Sequence, residues 1–116
     1  MINLRMEYSA PVDERMNVSR LLEDLHQVLL DDERLQRMRI PVKSSAVRIH
    51  QWFIGEQLDS VDFIQLILEI PQNDAAEIGQ SVSGMLADVL EQEAEKVENL
   101  SVYLRIAEQT CIRSRS

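Results

Sequence analysis

Cysteine is nearly absent from this sequence. The single thiol, Cys111, lies near the C-terminus, so no disulfide forms within the chain and a reducing cytoplasm is the expected location. Glycine and proline number only three each, which argues against long linkers or disordered tracts. No apolar run approaches the ~20 residues of a membrane span, and no leader-like segment opens the chain, so a membrane role is not expected. Positive charge is scarce as well: 12 Lys and Arg face 20 Asp and Glu, a net charge of −8. Such a surface repels phosphate backbones, and no nucleic-acid partner is expected. The basic stretch Arg34, Arg37, Arg39, Lys43 and Arg48 reads as a solvated helix end and loop, with Arg34 and Arg37 in the last turn, where they complement the helix dipole. Phosphate-cradling glycines, histidine pairs at metal spacing, Cys-x-x-Cys and a serine elbow are all missing, so neither a metal nor a cofactor is expected.

What is present is periodicity. In "INLRMEYS", Ile2, Leu4, Met6 and Tyr8 alternate with Asn3, Arg5, Glu7 and Ser9, the period of a strand with one buried face. "SAPVDERM" reads as a loop. A helix follows over "NVSRLLEDLHQVLLDDERLQR", with Asn17 as N-cap and Val18, Leu21, Leu22, Leu25, Val28 and Leu29 on one side, and Pro41 beyond its end. "AVRIHQWFI" alternates again, and "GEQLDS" predicts a hairpin turn leading into "VDFIQLILEI". After Pro71, "NDAAEIGQSVSGMLADVLEQEAEKV" carries a capping-box spacing at Asp74 and Glu77 and an apolar face of Ile78, Val82, Met85, Leu86, Val89 and Leu90. "NLSVYLRIA" is the last strand, and "EQTCIRSRS" has no period.

The order is strand–helix–strand, turn, strand–helix–strand. It predicts an α+β fold: a double β-α-β unit with a four-stranded mixed sheet and two helices on one face, as one domain over 1–108 with a tail over 109–116. Ile2, Leu4, Met6, Val47, Ile49 and Phe53 are expected to face the helices. Arg5, Glu7, Arg48, His50, Trp52, Phe63, Gln65, Ile67, Tyr103 and Arg105 would then share the other face. That mixture is too apolar to stay wet and too polar for a simple core, which points to a homo-oligomer built through it. Of the two histidines, His26 borders a helix stripe, and His50 is expected mid-strand with Glu69 or Gln65 across from it.

The segments "INLRMEYS", "IPVKSSAVRIHQW", "DFIQLILEI", "EIGQSVSGMLADVL" and "NLSVYLRI" together resemble the 5-carboxymethyl-2-hydroxymuconate isomerase family of the tautomerase superfamily, over roughly residues 2 to 107. The resemblance implies a homotrimer and cofactor-independent isomerisation of unsaturated, enol-bearing dicarboxylates. It also implies an N-terminal proline as base, with arginines near the second strand and after the third strand holding substrate carboxylates. An amine near neutral pKa suits proton shuttling, and arginine's fork suits a carboxylate.

The matching positions here carry other residues. Ile2 stands where the proline would be, Ala46 at the second-strand arginine, and Asp74 at the loop arginine. Arg48 lies two residues past Ala46, about 6 to 7 Å along the same strand face, and His50 follows. These two are the candidate substrate-binding residues. The Met1 amine, with an ordinary pKa of about 7.7 to 8.0, is a substitute base displaced by roughly 3 Å or more. Three readings stay open: an isomerase with a rewired site, a non-catalytic trimer binding a small unsaturated acid or a protein, and a ferredoxin-like regulatory domain, which has the same element order.

Overall fold

A computed structural model describes residues 1–56, 61–71 and 76–115. Its elements are β1 (Ile2–Ser9), α1 (Val12–Arg15), α2 (Val18–Asp31), α3 (Glu33–Met38), β2 (Val42–Ile49), β3 (Phe63–Pro71), α4 (Ala76–Glu93) and β4 (Asn99–Ala107). The strands form one sheet in the order β2-β1-β3-β4. The pairs β1–β2 and β3–β4 are parallel, and β1–β3 is antiparallel. This is the predicted α+β double β-α-β sheet, and it decides against the ferredoxin-like reading. In that split arrangement another strand separates the two strands of a β-α-β unit, whereas here they are neighbours.

The expected hairpin is not formed: β2 and β3 flank β1 on opposite sides, and the antiparallel pair is β1–β3. A right-handed crossover lays β2 parallel against β1, and β3, whose Ile64, Leu66, Leu68 and Ile70 are fully buried, takes the other edge of β1 near the sheet centre, leaving the more polar β2 at the rim. Residues 57–60 of the expected turn lie outside the described set.

Ile2, Leu4 and Met6 of β1 and Ile64, Leu66, Leu68 and Ile70 of β3 are fully buried under the helices. Val18, Leu21, Leu25 and Leu29 of α2 and Gly79, Val82, Leu86 and Leu90 of α4 cover them from the other side. Met85, expected on that stripe, is exposed instead, because α4 buries only the narrower side centred on Val82 and Leu86. The capping-box partner Asp74 lies outside the described residues.

Two elements depart from expectation in the first half. The "SAPVDERM" segment contains a helical turn, α1, whose Val12 is fully buried. The long first helix is broken at Asp32, whose side chain accepts hydrogen bonds from the backbone N–H of Arg34 and Leu35 and so starts α3. Arg34 therefore stands in a first turn rather than a last one, where its guanidinium also donates to Asp32. Arg37 does lie in the last turn of α3.

β2 also runs earlier than the alternation predicts, ending at Ile49. The Ile2 N–H donates to the Pro41 carbonyl at 2.9 Å, which locks Ile2 opposite Val42, Met6 opposite Ala46 and Tyr8 opposite Arg48. Parallel partners share a face, so Val42, Ser44, Ala46 and Arg48 lie on the helix side and Val47 and Ile49 on the open side. The predicted facing of β2 is thus reversed. Phe53 lies outside any strand and is 78% exposed.

Candidate functional site

Polar groups gather at the C-terminal ends of β1 and β2. Tyr8 closes the buried stripe of β1, and its hydroxyl needs a partner. The turn Ala10–Pro11 carries the chain back into α1 and supplies one: Tyr8 Oη donates to Asp13 Oδ2 at 3.1 Å. Arg48, opposite Tyr8 on β2, brings its Nε to 3.4 Å from the same Asp13 oxygen. The Arg48 side chain remains 46% exposed. Burial, followed by the hydrogen bond to and the negative charge of Asp13, pushes the Tyr8 pKa above its usual value, and Arg48 partly opposes this. The phenol therefore stays a neutral donor near neutral pH.

Next along β1, Ser9 is fully buried. Its hydroxyl donates to Asp62 Oδ1 at 3.3 Å and accepts from the Phe63 N–H at 3.0 Å. Arg15 Nη1 completes this second network at 2.6 Å from Asp62 Oδ2. Two acids and two arginines thus fix α1 to the sheet end.

His50 follows the end of β2 and is exposed. Gln65 and Glu69 are not its cross-strand partners, since β2 borders β1 and both residues lie on β3 facing Glu7 and Asn3. His26 has a partner that the sequence did not reveal: its Nδ1 is 2.6 Å from Ser44 Oγ, across the seam between α2 and β2.

The other sequence-derived positions lie at the opposite end of β1. Ile2 is fully buried and is the residue donating to Pro41. Its nitrogen is an amide with a delocalised lone pair, so it is not basic. The Met1 amino group donates to Gln109 Oε1 at 3.0 Å, and Gln109 Nε2 donates to Glu69 at 2.9 Å, which Arg105 approaches to 3.6 Å. Six strand steps lead from Ile2 to Tyr8, so Met1 and Arg48 are roughly 20 Å apart within one chain. Arg48 and His50 are two residues apart at the end of β2, and both lie at the opposite end of β1 from Met1. Asp74 lies outside the described residues. Among the described residues, no three His, Cys, Asp or Glu side chains are placed to hold a metal ion.

Tyr8 and Asp13 went unnoticed in the sequence because each has an ordinary structural role there, one in a strand and one in a presumed loop. The available signal was a hydroxyl at the end of a buried stripe, five residues before an acid.

The strand order and paired β-α-β units define a tautomerase-superfamily fold, as found in a fused 4-OT wild-type symmetric trimer (TM-score 0.63, 12% identity, 95% of this chain and 89% of that one). The family follows from the sequence: the family model for 5-carboxymethyl-2-hydroxymuconate isomerase matches residues 3–113, and the chain belongs to that family. A 5-carboxymethyl-2-hydroxymuconate isomerase from Deinococcus radiodurans R1 is similar in structure at TM-score 0.72 and 22% identity, over 94% of this chain and 83% of that one. A 5-carboxymethyl-2-hydroxymuconate delta-isomerase reaches TM-score 0.74 at 13% identity, over 100% and 87%. At these identities the likeness speaks for the fold. No curated protein sequence matches the chain.

Proposed function

We propose that this protein is an isomerase-family homotrimer that binds a small unsaturated carboxylic acid at Arg48, and that it does not use an amine base at the start of β1. Arg48 carries the reading. Asp13 fixes its guanidinium through Nε at 3.4 Å, while the side chain stays about half exposed. A guanidinium oriented in this way loses little freedom on gripping a carboxylate, and its planar fork matches the two oxygens. His50, exposed just beyond the strand end, adds a second donor for an acid with two carboxylates.

Family membership supports an isomerase-type substrate, an enol-bearing or unsaturated acid. The buried amide at Ile2 supports a departure from proline chemistry. The trimer rests on the open sheet face, where Val47, Ile49, Phe63, Ile67 and Tyr103 lie among Arg5, Glu7 and Arg105, and on the symmetric trimer among the similar structures. A reducing cytoplasm, with the exposed Cys111 kept as a thiol, belongs to the same proposal.

The test is thermal unfolding with and without cis,cis-muconate, alongside the mass in solution by light scattering. A ligand at a hundred times its Kd adds about 2.7 kcal/mol of apparent stability. Stabilisation of the wild type that is lost in Arg48→Ala supports the reading, and equal stabilisation of both overturns it. A monomeric mass overturns the trimer.

A further inference from the structure

We propose that Asp13 is the proton-transferring base of this protein: it takes the hydroxyl proton of an enolic acid held on Arg48 and returns it to carbon. This rests on the reading of Arg48 above and adds the group that performs chemistry beside it.

The two oxygens of Asp13 are differently placed. Oδ2 receives both the Tyr8 hydroxyl at 3.1 Å and Arg48 Nε at 3.4 Å. Oδ1 takes no hydrogen bond among the described residues, and the side chain is 34% exposed. One oxygen is therefore anchored, while the other has no partner among the described residues on a side chain about one-third exposed. Oδ2 alone bridges the two anchoring groups, which leaves Oδ1 to meet a proton. The contrast with Asp62 supports the assignment: Asp62 is 4% exposed and has both oxygens engaged, by Ser9 and Arg15. Asp62 is structural, whereas Asp13 keeps one oxygen free.

Substrate chemistry fits the spacing. In a 2-hydroxy-2-enoic acid the hydroxyl sits on the carbon next to the carboxylate, and the carbon to be protonated is one further. A base adjoining the arginine that holds the carboxylate reaches both. Asp13 Oδ1 takes the hydroxyl proton, and the O–H electron pair becomes the π bond of the new carbonyl. The C=C π pair moves to the next carbon, which takes the proton back from Asp13. One O–H bond is broken and one C–H bond formed, the carboxylate returns to its starting state, and no oxidant or metal takes part. Tyr8 is a positioning residue, holding Oδ2 while Oδ1 exchanges the proton. Its raised pKa keeps its own proton in place.

The experiment follows the enol-to-keto conversion of enolic phenylpyruvate by ultraviolet absorbance, using the full chain, with muconate-induced thermal stabilisation read in parallel. The expected result is turnover by the wild type and a loss of about 10²-fold or more in kcat for Asp13→Asn. Tyr8→Phe is expected to lower kcat several-fold with KM nearly unchanged, counted per folded molecule with the folded fraction set by circular dichroism, a correction that removes the effect of lost folding. If Asp13→Asn does not fold, Asp13→Glu, which keeps the charge but moves the oxygens by one methylene, is expected to lose kcat in its place. Wild-type turnover at the buffer rate, or an Asp13→Asn variant as fast as wild type, overturns the proposal. If muconate still stabilises the wild type and not Arg48→Ala in that case, the Arg48 reading stands without the base. If muconate stabilises neither, the Arg48 reading fails on its own terms.

Discussion

The two β-α-β halves use the same plan with different seams between helix and edge strand. In the second half, α4 runs unbroken from Ala76 to Glu93, and β4 offers it Leu100, Val102 and Leu104, all packed against the core. Contact there is close enough that a methyl group on Gly79 would come within 2.9 Å of Leu104 Cδ1. In the first half the crossover is three helices, and β2 offers Val42, Ser44, Ala46 and Arg48. Its seam is joined by a histidine–serine hydrogen bond and, further along, by ion pairing to Asp13. The apolar seam is closed by side-chain packing. The polar one gives up burial and in return leaves Ser44, His26 and Arg48 near solvent, where chemistry is possible. Under the proposed function, the first half presents groups to a ligand while the second holds the sheet.

Substitutions in the two seams test that division. The largest effect is expected in the second half: Leu86→Ala removes a fully buried side chain and should cost about 2 to 5 kcal/mol in urea unfolding, with no change in carboxylate binding at Arg48. Asp32→Ala, at the joint that divides the first crossover, removes a helix cap and should cost about 1 to 2 kcal/mol. The Arg34 hydrogen bond holds the Asp32 pKa below its usual value, against the opposing effect of burial. Asp32 thus contributes stability that is fully present above its unfolded pKa of about 3.9 and is lost as pH falls through the lower folded value. Asp32→Asn keeps a capping oxygen, so its deficit should be smaller, constant above about pH 5, and should close in acid. Gly79→Ala sets overpacking of roughly 1 to 3 kcal/mol against a helix-propensity gain of about 1, for a net loss near 1 kcal/mol. Adding Leu104→Val should recover part of it. The smallest expected effect is the coupling between His26→Ala and Ser44→Ala in a double-mutant cycle, about 0.5 to 1 kcal/mol. A coupling near zero would make the polar seam incidental and erase the contrast between the halves.

The same contrast explains what could be read from the sequence. β4 was legible residue for residue over Asn99–Ala107, because its alternation is strong and one neighbour, β3, decides its facing. β1 and β3, central strands with two neighbours each, were legible from their strong alternation alone. β2 was not: its core-facing residues include Ser44 and Arg48, while Val47 and Ile49 point to the open face, so hydrophobicity alone assigns it backwards. Only the pairing with β1, fixed through Ile2 and Pro41, sets its register. The break at Asp32 was hidden because a capping aspartate inside a helical period resembles any other solvated acid. At the candidate site, Arg48 was found from its spacing to Ala46. Asp13 was not, because its importance arises where α1 folds back onto Tyr8, a contact between segments that share no sequence period.

The hydrogen bond that ties Gln109 to the Met1 amino group also has a use at the bench. It holds the start of the C-terminal segment at the Met1 end of β1, and Cys111, exposed, follows two residues later. The sequence contains no other thiol. A maleimide dye or a sensor surface coupled there would attach the molecule by the end away from Arg48. The opposite rim of the sheet would then face solution, ready for ligands to be titrated onto an immobilised protein held in one orientation.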